Sequence, residues 1–134
     1  MITFNVSWLA IIIATVVNMA IGAGWYGYFA EPWMAGNGFT KEQIEANPSN
    51  TPYIVAGANS LVMSFVLANV INWTGATGLL NGLLTGLLMW VGFTALTMGA
   101  NHAFESRSFT MWGINSGMYM VSLTVIGAII GAFG

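Results

Sequence analysis

Residues 101 to 109 read NHAFESRSF. In a chain with only two basic and four acidic side chains, this stretch holds Glu105, Arg107 and the single histidine, His102. An imidazole and a carboxylate three residues apart share one face of a helix, a spacing able to grip a metal ion or relay a proton. One histidine and one carboxylate are an incomplete ligand set, which Glu31, Glu42 or Glu45 would have to complete. Nothing in the pattern supplies a recognisable nucleophile or second catalytic group for His102, and cysteine is absent, which removes thiolate ligands and a thiol nucleophile. The expectation is therefore no catalytic residue, no metal and no cofactor. A fastening role accounts for more: Arg107 paired with Glu31 or Glu105 would tie the exit of the first long apolar segment to this stretch.

The elements that carry these residues follow from composition. Of the 134 residues 57% are hydrophobic and 4% charged, with mean hydropathy +0.76. A soluble domain has about 25% charged residues, so this chain cannot cover a globule with solvated side chains. Two basic residues, Lys41 and Arg107, make no nucleic-acid footprint. Residues 5–28, 53–73, 76–100 and 109–133 contain no charged side chain, and each is as long as the roughly 20 residues a helix needs to cross the hydrocarbon core. Strands would need a closed barrel that four segments cannot form. The predicted fold is all-α: an integral membrane bundle of four transmembrane helices in one domain spanning residues 1–134.

The connections differ in length. NWTGATG joins the second and third segments as a tight turn. The long loop, residues 29–52, contains Thr40 and Gln43 at capping-box spacing, which predicts a short extra helix over KEQIEAN. Thr51-Pro52 reads as the cap and first residue of the second span. With four spans, the long loop and the 101–109 loop share one side. Both basic residues lie there, so the positive-inside rule predicts a multi-pass protein of the cell membrane with that side in the cytoplasm. Tryptophan and tyrosine gather at the segment ends, as headgroup-level rings do. Trp90 lies mid-segment, where its indole N–H needs a partner.

Small residues suggest how the helices meet. Gly78, Gly82 and Gly86 recur every four residues in the third segment, and Gly113 with Gly117 in the fourth. Such stripes let another helix approach closely, either within the chain or from a second copy. Asn18, Asn59, Asn81 and Asn115 lie inside apolar runs. Each is read as interhelical glue or as part of a polar pathway along the bundle.

At this point the sequence resembles a family. Trp8, the stretch GAGWYGYFAEPWM, the NHAFESRSF island and WGIN at 112–115, in this order and around four spans with a long first loop, resemble the bacterial membrane family catalogued as domain of unknown function 1761. The resemblance covers nearly the whole chain. A proline that often follows Trp-Tyr in that pattern is replaced by Gly27, and the proline comes later, at Pro32. The resemblance implies an integral membrane protein without an assigned reaction, and it marks Trp25, Tyr26, Asn101, Phe104, Glu105, Arg107 and Asn115 as candidates. The reading is a structural or accessory membrane subunit with the lipid bilayer as its solvent, associating with itself or serving a larger membrane complex. The alternative is a small-solute or ion channel or transporter using the intramembrane asparagines. An enzyme centred on His102 ranks behind both.

Overall fold

The structure is a computed structural model and describes residues 2–134. Seven α-helices and no strand are found among the described residues. α1 (Trp8–Tyr28) starts where the Ser7 side chain accepts from the Ala10 N–H at 3.3 Å, satisfying one of the free donors of a helix start. Phe29 interrupts it, and α2 (Ala30–Asn37) follows at once. No helix is expected there from the residue pattern. Pro32 is tolerated because it falls in the first turn, where its missing N–H has no intrahelical acceptor, and Glu31 sits at the positive end of that helix. α3 (Lys41–Ala46) opens with the complete Thr40–Gln43 capping box. The long loop thus carries two short helices, where one was expected.

α4 (Thr51–Thr74) has Asn50, rather than Thr51, in the cap position, and Pro52 lies in its first turn. The third span is composite: α5 (Leu79–Met89), a π-helical stretch (Trp90–Ala95) and α6 (Leu96–Phe104). α7 (Phe109–Phe133) is capped by the Ser108 hydroxyl. Four helical segments, Trp8–Tyr28, Thr51–Thr74, Leu79–Phe104 and Phe109–Phe133, are long and apolar enough to cross a membrane. The protein is a multi-pass, all-α membrane protein. The second span outruns the expected 53–73 at both ends, whereas the third is shifted from 76–100 to Leu79–Phe104 and the first starts at Trp8 rather than residue 5.

α7 is the central helix. It packs against α1, α4 and the third span, while α1 also packs on α4. The apolar core lies where these three meet: Ala10, Ile11 and Ala14 from α1, Leu67, Ala68 and Ile71 from α4, and Leu123, Ile126 and Ile130 from α7. All of it is near the chain termini. At the other end, Thr51–Asn59 of α4 contributes no buried residue. α4 thus packs loosely at the end carrying the long loop, where α7 still buries Met111 and Ile114.

The third span joins α7 through glycine. A Cβ on Gly82 would collide with the Gly127 carbonyl and the Gly131 Cα, and one on Gly86 with the Leu123 carbonyl. The Gly78 N–H donates to the Gly131 carbonyl at 2.8 Å, a backbone bond between two spans. Gly78, Gly82 and Gly86 are therefore occupied within the chain. Gly117 lies under the Trp25 ring. Gly113, expected in the same stripe, has open space where a Cβ would be and takes no part in close packing.

Candidate functional site

α6 ends in a Schellman motif. The Arg107 N–H bonds to the His102 carbonyl at 2.8 Å and the Ser106 N–H to the Ala103 carbonyl at 3.2 Å, the two reversed bonds that close such an end. The left-handed position, usually glycine, is taken by Ser106 at φ 56°. α2 ends in the same motif with Gly38 in the left-handed position and Asn37 just before it. These two helix ends face each other.

The first motif folds Arg107 back over His102. The Arg107 guanidinium donates to Asn37 Oδ1 at 2.9 Å, approaches His102 Nε2 at 3.5 Å and lies 3.8 Å from a Glu105 carboxylate oxygen. Arginine only donates, so in this contact His102 Nε2 can serve only as the acceptor. His102 is buried, and its Nδ1 has no protein partner. The positive guanidinium also lies at the carbonyl ends of two helices, where a cation is favoured.

Several candidates part company here. His102 and Glu105 do not share a helical face: the helix stops at Phe104, so Glu105 is the exposed cap while His102 points inward. Glu31 is exposed and pairs with no cation among the described residues. Arg107 takes Glu105 and Asn37 instead. Asn101 is exposed and contributes its carbonyl to the Glu105 N–H. No three histidine or acidic side chains converge among the described residues.

A second set of contacts lies along the first half of α7. The Trp25 indole donates to the Ile114 carbonyl at 2.9 Å, Trp90 to the Ser116 carbonyl at 2.7 Å, and Trp112 to the Ala95 carbonyl at 2.8 Å. Tyr26 donates its phenolic proton to Asn115 Oδ1 at 3.1 Å. Helix carbonyls keep a free lone pair after their own bond, so an indole can use it without breaking the helix.

The intramembrane asparagines do not form one file. Asn18 donates to Ser60 Oγ at 2.7 Å between α1 and α4. Asn81 is exposed and bonds the Thr77 carbonyl of its own helix. Asn59 is exposed as well, donating only to the Met63 sulfur at 3.4 Å.

Where α4 packs loosely, a cleft of about 930 Å³ opens between the end of α1, α2 and the start of α4. Tyr26, Trp33 and Tyr53 supply aromatic walls, and Asn47 and Asn50 supply amides. Trp33 belongs to α2, whose last residue holds Arg107, so one short helix borders both the cleft and the latch.

Residues 9–131 match the family described as protein of unknown function (DUF1761). The chain belongs to this family. No curated protein and no solved structure matches it. This DUF1761 member therefore has to be read from its own geometry. Two features of that geometry escape a reading of the sequence. Asn37, in the run AGNGF, looks like a turn former, and only the second Schellman end shows it as the acceptor for Arg107. The cleft is invisible because its aromatic residues come from separate segments that each read as headgroup-level rings.

Proposed function

We propose that the protein is a self-associating structural subunit of the cell membrane, in which two copies meet along the outward face of α4. The observation that carries this reading is Asn59. It lies eight residues into the span, about 12 Å along a helix rising 1.5 Å per residue, and its side chain faces away from the bundle. Its bond to the Met63 sulfur uses a weak acceptor. A primary amide carries donor and acceptor together, so it is complementary to its own copy across a two-fold axis.

The surroundings of Asn59 support the same reading. Val55, Val62 and Val66 are all exposed and, with Asn59, follow the 4-3-4 spacing of a helix-pairing seam. β-Branched residues broken by one asparagine favour a defined pairing register. The glycine stripe of α5 is already spent on α7. Lys41 and Arg107, on the two connections at the long-loop end, support a cytoplasmic placement of that end.

The test uses the absence of native cysteine. Val62→Cys in lipid bilayers is expected to cross-link to its copy, and Leu88→Cys, exposed on α5, is not. Asn59→Val is expected to abolish the Val62 cross-link. A chain that stays monomeric as the lipid is made scarce, or a cross-link indifferent to Asn59→Val, rejects the proposal.

A second reading, the small-solute or ion conduit, has its own observation. Asn18 Oδ1, Ser64 Oγ, Asn69 Oδ1 and Ser122 Oγ are buried without protein partners, and internal water would satisfy them. Flux across proteoliposomes that disappears in Asn18→Leu would favour it over the structural role.

A further inference from the structure

The aromatic cleft is not used by self-association along α4, and its chemistry is specific. From its walls we infer that it binds a single organic cation carrying a quaternary ammonium head and an apolar tail. Tyr26 and Trp33 meet edge to face, with centroids 6.1 Å apart at 72°, forming a corner of two rings. Tyr53 adds a third ring from α4, and it is largely exposed, so its faces are free. Ring faces are electron-rich and attract a cation that has no N–H to donate, the recognition used by aromatic cages. Met34 and Ile44 add an apolar lining for the tail.

Charge points the same way. No charged side chain lines the cleft, which leaves a phosphate, sulfate or carboxylate without a counter-ion. Around it, the long loop carries Glu31, Glu42 and Glu45 against Lys41 alone, and Lys41 lies 3.9 Å from Glu45. The loop bordering the cleft thus has more acidic than basic side chains, a balance that favours a cation over an anion. Arg107, the other cation at this end, is held by Asn37 and Glu105.

The experiment uses the full chain in uncharged maltoside micelles with decyltrimethylammonium as the probe, measured by equilibrium dialysis. The expected result is one saturable site per chain. Tyr53→Leu is expected to weaken binding about tenfold, while Tyr53→Phe, which keeps the ring, changes it less than about twofold. Tyr53 is exposed, so both variants are expected to fold, with unchanged thermal unfolding as the check. The carbon isostere, with tert-butyl in place of trimethylammonium, is expected not to saturate. An isostere that binds as tightly as the cation overturns the inference, as does equal binding by Tyr53→Leu and Tyr53→Phe. Short-chain phosphatidylcholine as a competitor separates the two sources of this chemistry. Failure to displace the probe is expected, because the phosphate of that headgroup meets no cation in the cleft, and displacement overturns the assignment to a free lipophilic cation.

Discussion

Arg107 donates to Asn37 across 70 residues of chain, and the bond joins the carbonyl end of α2 to the carbonyl end of α6. It is the polar fastening between the long loop and the turn before α7. A planar fork can serve Asn37, His102 and Glu105 together, whereas a lysine presents one point charge. Arg107→Lys is therefore expected to behave like Arg107→Ala. A double-mutant cycle of Arg107→Ala with Asn37→Ala should give a coupling of about 1–2 kcal/mol, the range for a partly buried bond to a charged group. Unfolding free energies in mixed micelles measure it, and a coupling indistinguishable from zero removes the latch.

Gly82 and Gly113 form a matched pair of predictions. A methyl group at Gly82 meets backbone of α7, which cannot move aside as a side chain would. Gly82→Ala should cost about 3 kcal/mol, at the upper end for overpacking. Gly113→Ala meets nothing within 4 Å and should stabilise by up to about 1 kcal/mol through helix propensity. Equal costs at the two sites would contradict the α5–α7 packing.

Ser106 holds a left-handed conformation that the corresponding positions at Gly38 and Gly75 give to glycine. For a residue with a Cβ that conformation costs about 1–2 kcal/mol. Ser106→Gly should therefore stabilise the protein by about 1 kcal/mol, once the extra freedom of glycine in the unfolded chain is deducted. Thermal unfolding in detergent reads this directly, and a loss of stability would mean that the serine side chain holds something the strain argument omits.

The readable parts of the fold were those governed by one segment at a time. Uncharged length marks the four spans, and the Thr40–Gln43 pair marks α3, because hydropathy and capping depend on neighbours in sequence. α2 was hidden because Pro32 and two glycines disguise a short helix whose support comes from elsewhere, such as the Met111 side chain packed over Gly36. Glu105 lies two residues from Arg107 in sequence, so their proximity is legible there, but Asn37 depends on two helix ends meeting in space. The sequence similarly shows that Trp90 needs a partner without showing which helix supplies it. A carbonyl acceptor has no side-chain signature.

The last prediction concerns that indole chemistry. The third span widens to a π-helix at Trp90–Ala95, which disturbs the regular i to i+4 pairing of carbonyls and N–H groups. Ala95 ends this stretch, and its buried carbonyl accepts from the Trp112 indole. Trp90 crosses in the opposite sense to the Ser116 carbonyl. The two bonds clamp the widened turn against α7, and neither ring can be replaced by a phenyl group without leaving a carbonyl short of a donor in an apolar setting. Trp112→Phe should cost about 1–2 kcal/mol, in the upper part of the range for polar contacts between membrane helices. Trp8→Phe, at an exposed ring with no indole bond among the described residues, should cost less than about 0.5 kcal/mol. If the π-helix is held by this clamp, hydrogen exchange at residues 90–99 should accelerate in Trp112→Phe and stay unchanged in Trp8→Phe. Equal exchange in both variants would mean that the third span widens for reasons of its own.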